Sequence, residues 1–349
     1  MTLRIRAETL TLSLREPFRI ARAEHGAEGY VTTVAVELED DRFPGIVGLG
    51  EGYPDRYYGD TPETMAAVYP LLLEAIGEPE PSPEGLRAAG DAMGDAIRWN
   101  GGAKCAVDSA LHDLVGKVTG RPVWDLLGLS RDIPPTDFTL GLDEPAVVAE
   151  RARRAAAFPA LKIKCGGPAD MATLRAVREV YDGPIRIDAN TGWTPDVAIR
   201  LLPDLMALGV ELIEQPFPAR RLAWMADLQQ RSELPIVADE SCVTDEDLDG
   251  LVGVVAGVNV KLAKVGGPGP AARMLARARD LGFRRFLGCM EETSVVIAAS
   301  AACASLVEWA DLDGCLLLAD DPFEGLELGP DHRWQLGNLP GLGVARRAS

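Results

Sequence analysis

Five apolar runs in a row end in charged side chains. "ALKIK" closes on Lys162 and Lys164, "PIRID" on Asp188, "VELIE" on Glu214, "PIVAD" on Asp239 and "GVNVK" on Lys261. Three of these ends are carboxylates. Brought together, they would repel one another and need cations. An oxygen-only ligand set, with no cysteine or histidine in it, suits a hard ion such as Mg²⁺. The lysines flank the carboxylates in chain order, one run before and one run after. Ammonium groups are costly to bury alone, and an anionic centre between them removes that cost. A lysine on each side of a metal site is also placed to exchange a proton with a substrate. Taken singly, each of these residues reads as a solvated strand end, and Asp188-Ala-Asn190 reads as a helix cap. Five polar ends in step on five successive runs are harder to explain in that way.

The elements that must position them follow from the spacing. Lys164, Asp188, Glu214, Asp239 and Lys261 are 24, 26, 25 and 22 residues apart, one strand-plus-helix unit per step. Helical patterns such as "ADMATLRAVREV" and "PAARMLARARDLG" fill the intervals. "DFTLG" (137–141) supplies an earlier strand, and "FRRFLG" (283–288) and "EWADLD" (308–313) two later ones, eight in all. Repeated βα units mean a doubly wound sheet or a closed barrel, and eight favour the barrel, with its active site at the C-terminal strand ends. Side chains alternate along a strand, so Lys162 shares a face with Lys164, and Asp311 with Asp313. The first 128 residues differ. Runs 2–15 and 30–50 alternate like half-buried antiparallel strands. "PETMAAVYPLLLEAI" begins after Thr61 with proline in the first turn, a helix start.

Composition bounds the rest. The chain has 349 residues, 53 acidic and 35 basic, for a net charge of −18. That excess disfavours a nucleic-acid backbone or an anionic membrane as partner. Six scattered cysteines show no C-x-x-C spacing, which argues against a disulfide framework or a thiolate zinc site. "MTLRIRAETL" lacks the apolar core of a signal peptide, and "SVVIAASAACASLVEWA" suits a packed helix better than a membrane span. A cytoplasmic enzyme is expected.

The sequence resembles the enolase superfamily, within it the muconate-lactonizing subgroup, and most closely the dipeptide epimerases of the L-Ala-D/L-Glu type. The motifs that carry this are "AVDSALHDLVGK", "LKIKCG", "RIDANTGWT", "LIEQPF", "IVADES", "VNVKLAKVGG" and "GCMEET", spread over nearly the whole chain. The resemblance implies an α+β capping domain (1–128), a (β/α)₇β TIM-like barrel (129–320) and a C-terminal segment (321–349) returning to the cap. It implies Mg²⁺ on Asp188, Glu214 and Asp239, and Lys164 and Lys261 as the acid/base pair. Lys162 would lower the pKa of Lys164 and contact the substrate carboxylate. Lys261 is preferred over Lys264 because it ends its strand run. The implied chemistry is removal and return of a proton α to a carboxylate, through an enediolate stabilised by the metal.

Asp311 and Asp313 match a D-x-D that, in dipeptide epimerases, binds the substrate's free α-ammonium. Muconate-type substrates have no such group. The alternative is a surface Asp311 and a simple turn at Asp313-Gly314. The resemblance also implies a place for Glu292, after the seventh barrel strand, in the substrate site near the lysine. By the same resemblance, side-chain selectivity is expected from two capping-domain loops over the barrel mouth, 19–30 and 51–61. These offer Arg22, Glu24 and His25, and Asp55, Arg56, Tyr57 and Tyr58; their mixed signs leave acidic, cationic and apolar substrates open. A cycloisomerase, an N-acylamino-acid racemase on the same scaffold, or a non-catalytic barrel that only binds its ligand are the rival readings. The partner expected is a small dipeptide, with no nucleic acid or membrane; a homo-oligomer stays open.

Overall fold

The computed structural model describes residues 2–21, 23–25 and 29–348. The chain opens with β1 (Leu3–Ser13), a short hairpin of β2 (Phe18–Ile20) and β3 (Ala23–His25), then β4 (Tyr30–Asp40) and β5 (Val47–Gly52). Strands β1, β4 and β5 form an antiparallel sheet in that order. Leu3↔Asp40 through Ser13↔Tyr30 pair in unbroken register, as the alternating pattern predicts.

Three helices follow, α1 (Pro62–Ile76), α2 (Pro83–Ala96) and α3 (Gly101–Thr119); α1 and α3 pack on this sheet, and α2 packs on those two helices. Helix α1 starts where Thr61 and proline place it. The Thr64 amide donates to Thr61 Oγ1, and the Thr61 amide donates to Thr64 Oγ1, a reciprocal cap that satisfies two otherwise orphaned donors.

Helix α3 lies on β5 at a distance that only glycine permits. A Cβ at Gly48, Gly50 or Gly52 would stand 2.1, 2.0 and 2.0 Å from the carbonyl oxygens of Ala110, Ala106 and Gly102. Every second residue of β5 is therefore glycine, and the helix carbonyls rest against bare strand backbone.

The barrel strands follow: β6 (Phe138–Leu140), β7 (Leu161–Lys164), β8 (Ile185–Asp188), β9 (Val210–Glu214), β10 (Ile236–Ala238), β11 (Gly257–Lys261), β12 (Arg284–Gly288) and β13 (Trp309–Ala310). They form one parallel sheet in sequence order. A parallel bridge between Thr136 and Ala310, with the Asp137 amide donating to the Ala310 carbonyl, ties the two edges together. All eight expected runs are strands. One differs in extent: β13 stops at Ala310, so Asp311 lies just past the strand. Asp313 is the N-terminal flank of a short helix, Gly314–Leu317.

Alternation puts Leu212, Val237, Phe286 and Trp309 into one apolar layer inside the barrel. Arg186, in register with Leu212 and against the Phe286 ring, bridges Asp137 (2.9 Å) and Glu211 (2.8 Å). Outward residues of the same strands join the large core under the surrounding helices. The helix Ser294–Cys303 is buried along its whole length, which accounts for its apolar composition. No described helix is long and apolar enough to cross a membrane. The last residues lie against the N-terminal sheet. Leu318 bridges Leu14, and Arg346 pairs with Glu8 at 2.5 Å.

Candidate active site

Parity and register bring the charged strand ends into one cluster. Lys164 pairs in register with Asp188, and Asp188 with Glu214. Asp239 directly follows β10. One carboxylate oxygen from each of Asp188, Glu214 and Asp239 lies within 4.8 Å of the others, and all three residues are fully buried. Glu214 Oε2 and Asp239 Oδ2 accept no directed hydrogen bond, although Lys162 Nζ stands 2.9 Å from the first and Lys261 Nζ 3.0 Å from the second. Three converging anionic oxygens, two of them without a directed donor, are the donor set that a hard divalent cation requires.

The four buried lysines divide into two kinds. Lys162 lies within the barrel, its ammonium 2.8 Å from Asp311, 2.9 Å from Glu214, 3.5 Å from Asp188 and above the Phe286 ring. Burial draws its pKa down, but the carboxylates of Asp311, Glu214 and Asp188 more than offset this and hold it well above the ordinary value. Lys264 is enclosed. Its ammonium donates to Asp239 Oδ1 at 2.5 Å and to the carbonyls of Asp239, Cys242 and Asn259 at 2.8, 2.9 and 2.9 Å. Lys164 and Lys261 each meet one carboxylate of the cluster. Lys164 donates to Asp188 Oδ2 at 2.8 Å and Lys261 stands 3.0 Å from Asp239 Oδ2. Both line the cavity at the barrel mouth. They approach from β7 and β11, with the three carboxylate-bearing strands between them.

Past β13, the two aspartates hold the first barrel strand. Asp311 Oδ1 accepts from the Thr139 hydroxyl (2.8 Å) and Asp313 Oδ2 from the Thr139 amide (2.6 Å). Burial alone would raise Asp311, but the Lys162 ammonium wins and keeps it below the usual carboxylate range. Asp313, buried and next to Asp311, is pushed well up. Both line the cavity.

Other candidates fall differently. Glu292 is buried behind the cavity wall, its Oε2 accepting from the Met290 amide at 3.0 Å. Burial, and then Glu51, push it up to about 8. Its neighbour Glu291 faces the cavity instead. Of the two expected loops, 51–61 contributes Asp55. Arg22, and the side chains of Glu24 and His25, lie outside the described residues. Thr139, Asn259, which donates to Glu214 Oε1 at 2.7 Å, and Glu291 were not picked out from sequence. The inward parity of β6 and β11 was the available signal for the first two.

Residues 2–128 match the mandelate racemase / muconate lactonizing enzyme N-terminal domain, and residues 146–348 the enolase C-terminal domain-like family. The chain belongs to the enolase superfamily. Its superfamily relatives include the L-Ala-D/L-Glu epimerase of Bacteroides thetaiotaomicron, 37% identical over 96% of this chain and 86% of that protein. Among solved structures, the dipeptide epimerase of Enterococcus faecalis V583, complexed with Mg and L-Leu-L-Tyr, superposes with a TM-score of 0.90 at 32% identity, over 99% of this chain and all of that one. The dipeptide epimerase of Methylococcus capsulatus, complexed with Mg and L-Arg-D-Lys, has a TM-score of 0.88 at 31% identity, over 99% of each chain.

Proposed function

We propose that this enolase-superfamily chain is a Mg²⁺-dependent isomerase that epimerises a dipeptide at the α-carbon of its C-terminal residue. The observation that carries this reading is the placement of Lys164 and Lys261 on opposite flanks of the Asp188–Glu214–Asp239 cluster, both opening on one cavity. Held by those three carboxylates, Mg²⁺ supplies positive charge where the substrate carboxylate becomes more anionic. A proton α to a carboxylate is weakly acidic, so the bases must be close and correctly aimed. Lys164 takes or returns it on one face and Lys261 on the other, which inverts the centre. Lys264 cannot share this role, since all its donors are committed to Asp239, Cys242 and Asn259. Lys162 holds Asp188, Glu214 and Asp311 together.

Asp311 and Asp313 favour a substrate with a free ammonium over an N-acylated one or a dicarboxylate. Asp311→Asn is expected to raise KM for a dipeptide about tenfold or more, the cost of losing a charged hydrogen bond, while Mg²⁺ affinity holds. Unchanged KM would remove the ammonium site from the argument.

The function itself is tested by incubating the Mg²⁺-loaded protein with free dipeptides and with N-acyl amino acids in D₂O. Deuterium is expected at the C-terminal residue's α-carbon in dipeptides, with the second epimer appearing. Turnover of N-acyl amino acids alone, or of cis,cis-muconate, would overturn the reading.

A further inference from the structure

Among the described residues, two carboxylates of the candidate site have no ion-paired lysine or arginine. Glu291 is 94% buried (6% exposed) and lines the cavity. Its Oε2 accepts from the Tyr53 hydroxyl at 3.0 Å. Asp55 reaches the same cavity from the cap, half-buried, with Oδ1 taking the Tyr57 amide at 2.8 Å. Among the described residues, no lysine or arginine is ion-paired with either. The cavity's cations are already committed: Lys162 to Asp188, Glu214 and Asp311, Lys164 to Asp188 and Lys261 to Asp239. On the epimerase reading, a dipeptide's own ammonium goes to Asp311 and Asp313, and its carboxylate to the metal cluster. Among the described residues, Asp55 and Glu291 are therefore an anionic surplus.

Buried charge that lacks a partner is costly. A glutamate side chain in this cavity would meet two like charges. An apolar side chain would strip water from them and give nothing back. A cationic side chain satisfies both. We infer, resting on the epimerase reading above, that the preferred substrate is a dipeptide bearing a cationic side chain of the lysine or arginine type, with Glu291 and Asp55 as its determinants. Tyr53, whose hydroxyl donates to Glu291, fixes the carboxylate's aim.

The test compares kcat/KM of the Mg²⁺-loaded enzyme on L-Ala-L-X and L-X-L-Ala, with X as lysine, arginine, glutamate or leucine, followed by deuterium incorporation. A lysine or arginine dipeptide is expected to exceed its glutamate and leucine counterparts about tenfold or more, the scale of one lost charge pair. Charge reversal by Asp55→Lys should lower the lysine-to-glutamate ratio by a similar factor, a readout that a general loss of activity would not move. Glutamate or leucine dipeptides turning over as well as the cationic ones, or an unchanged ratio in Asp55→Lys, would overturn the inference and leave the epimerase reading standing. No exchange with any dipeptide would overturn both.

Discussion

Replacing either flanking lysine is expected to stop epimerisation while leaving half of the proton chemistry intact. Lys164→Ala and Lys261→Ala should each lose interconversion of the two epimers by about 10³-fold or more, within the span assigned to a positioned acid or base. Each variant retains the base on the other face, so each should exchange the α-proton of one epimer in D₂O and not of the other, with opposite preferences. Proton NMR of the α-hydrogen, run separately on the L,L and L,D substrates, reads both effects. If either variant interconverts the epimers normally, the acid/base assignment is wrong. Loss of exchange from both faces in both variants would point to Lys162 or another group as the base.

The second large effect concerns stability, and it separates two lysines three residues apart. Lys264 is fully buried and holds Asp239 Oδ1 and three carbonyls. Lys264→Met keeps the length of the chain but leaves those acceptors buried and unpartnered. Breaking a buried pair from one side costs about 3–5 kcal/mol. Denaturant unfolding in Mg²⁺ buffer should register a loss of that size. Lys261→Met should cost much less, since its ammonium meets Asp239 alone and faces the cavity. Equal losses in the two variants would contradict the distinction between an internal strut and a base that opens on the cavity.

This contrast also marks what the sequence could and could not reveal. Period-two alternation is rigid along a strand, so the inward faces of Lys162, Lys164, Asp188, Glu214 and Lys261 were readable without coordinates. Asp239, one residue past its strand, kept the parity. Beyond that, backbone regularity ends and so does the forecast. Alternation makes Asp313 the last residue of its strand; it instead flanks a helix, yet its carboxylate still reaches the Thr139 amide. In the loop after β12, Glu291 and Glu292 are adjacent and chemically alike. Which one turns to the cavity depends on packing against β5 and on a hydrogen bond to Tyr53, neither of which leaves a periodic trace. Lys264 lies past the end of its strand run, where alternation gives no direction. Its role follows from a helical turn, Leu262–Val265, that folds it back beneath Asp239.

The glycines of β5 have a bearing on how such an enzyme could change its diet. Because α3 sits on naked backbone at Gly48, Gly50 and Gly52, the mooring of the loop that starts at Tyr53 tolerates no added methyl group. The loop itself, with Asp55, Arg56 and Tyr57 half-exposed or more, is under no such restraint. Selection, natural or in the laboratory, can therefore rewrite the residues that inspect a substrate while the hinge from which they hang stays fixed.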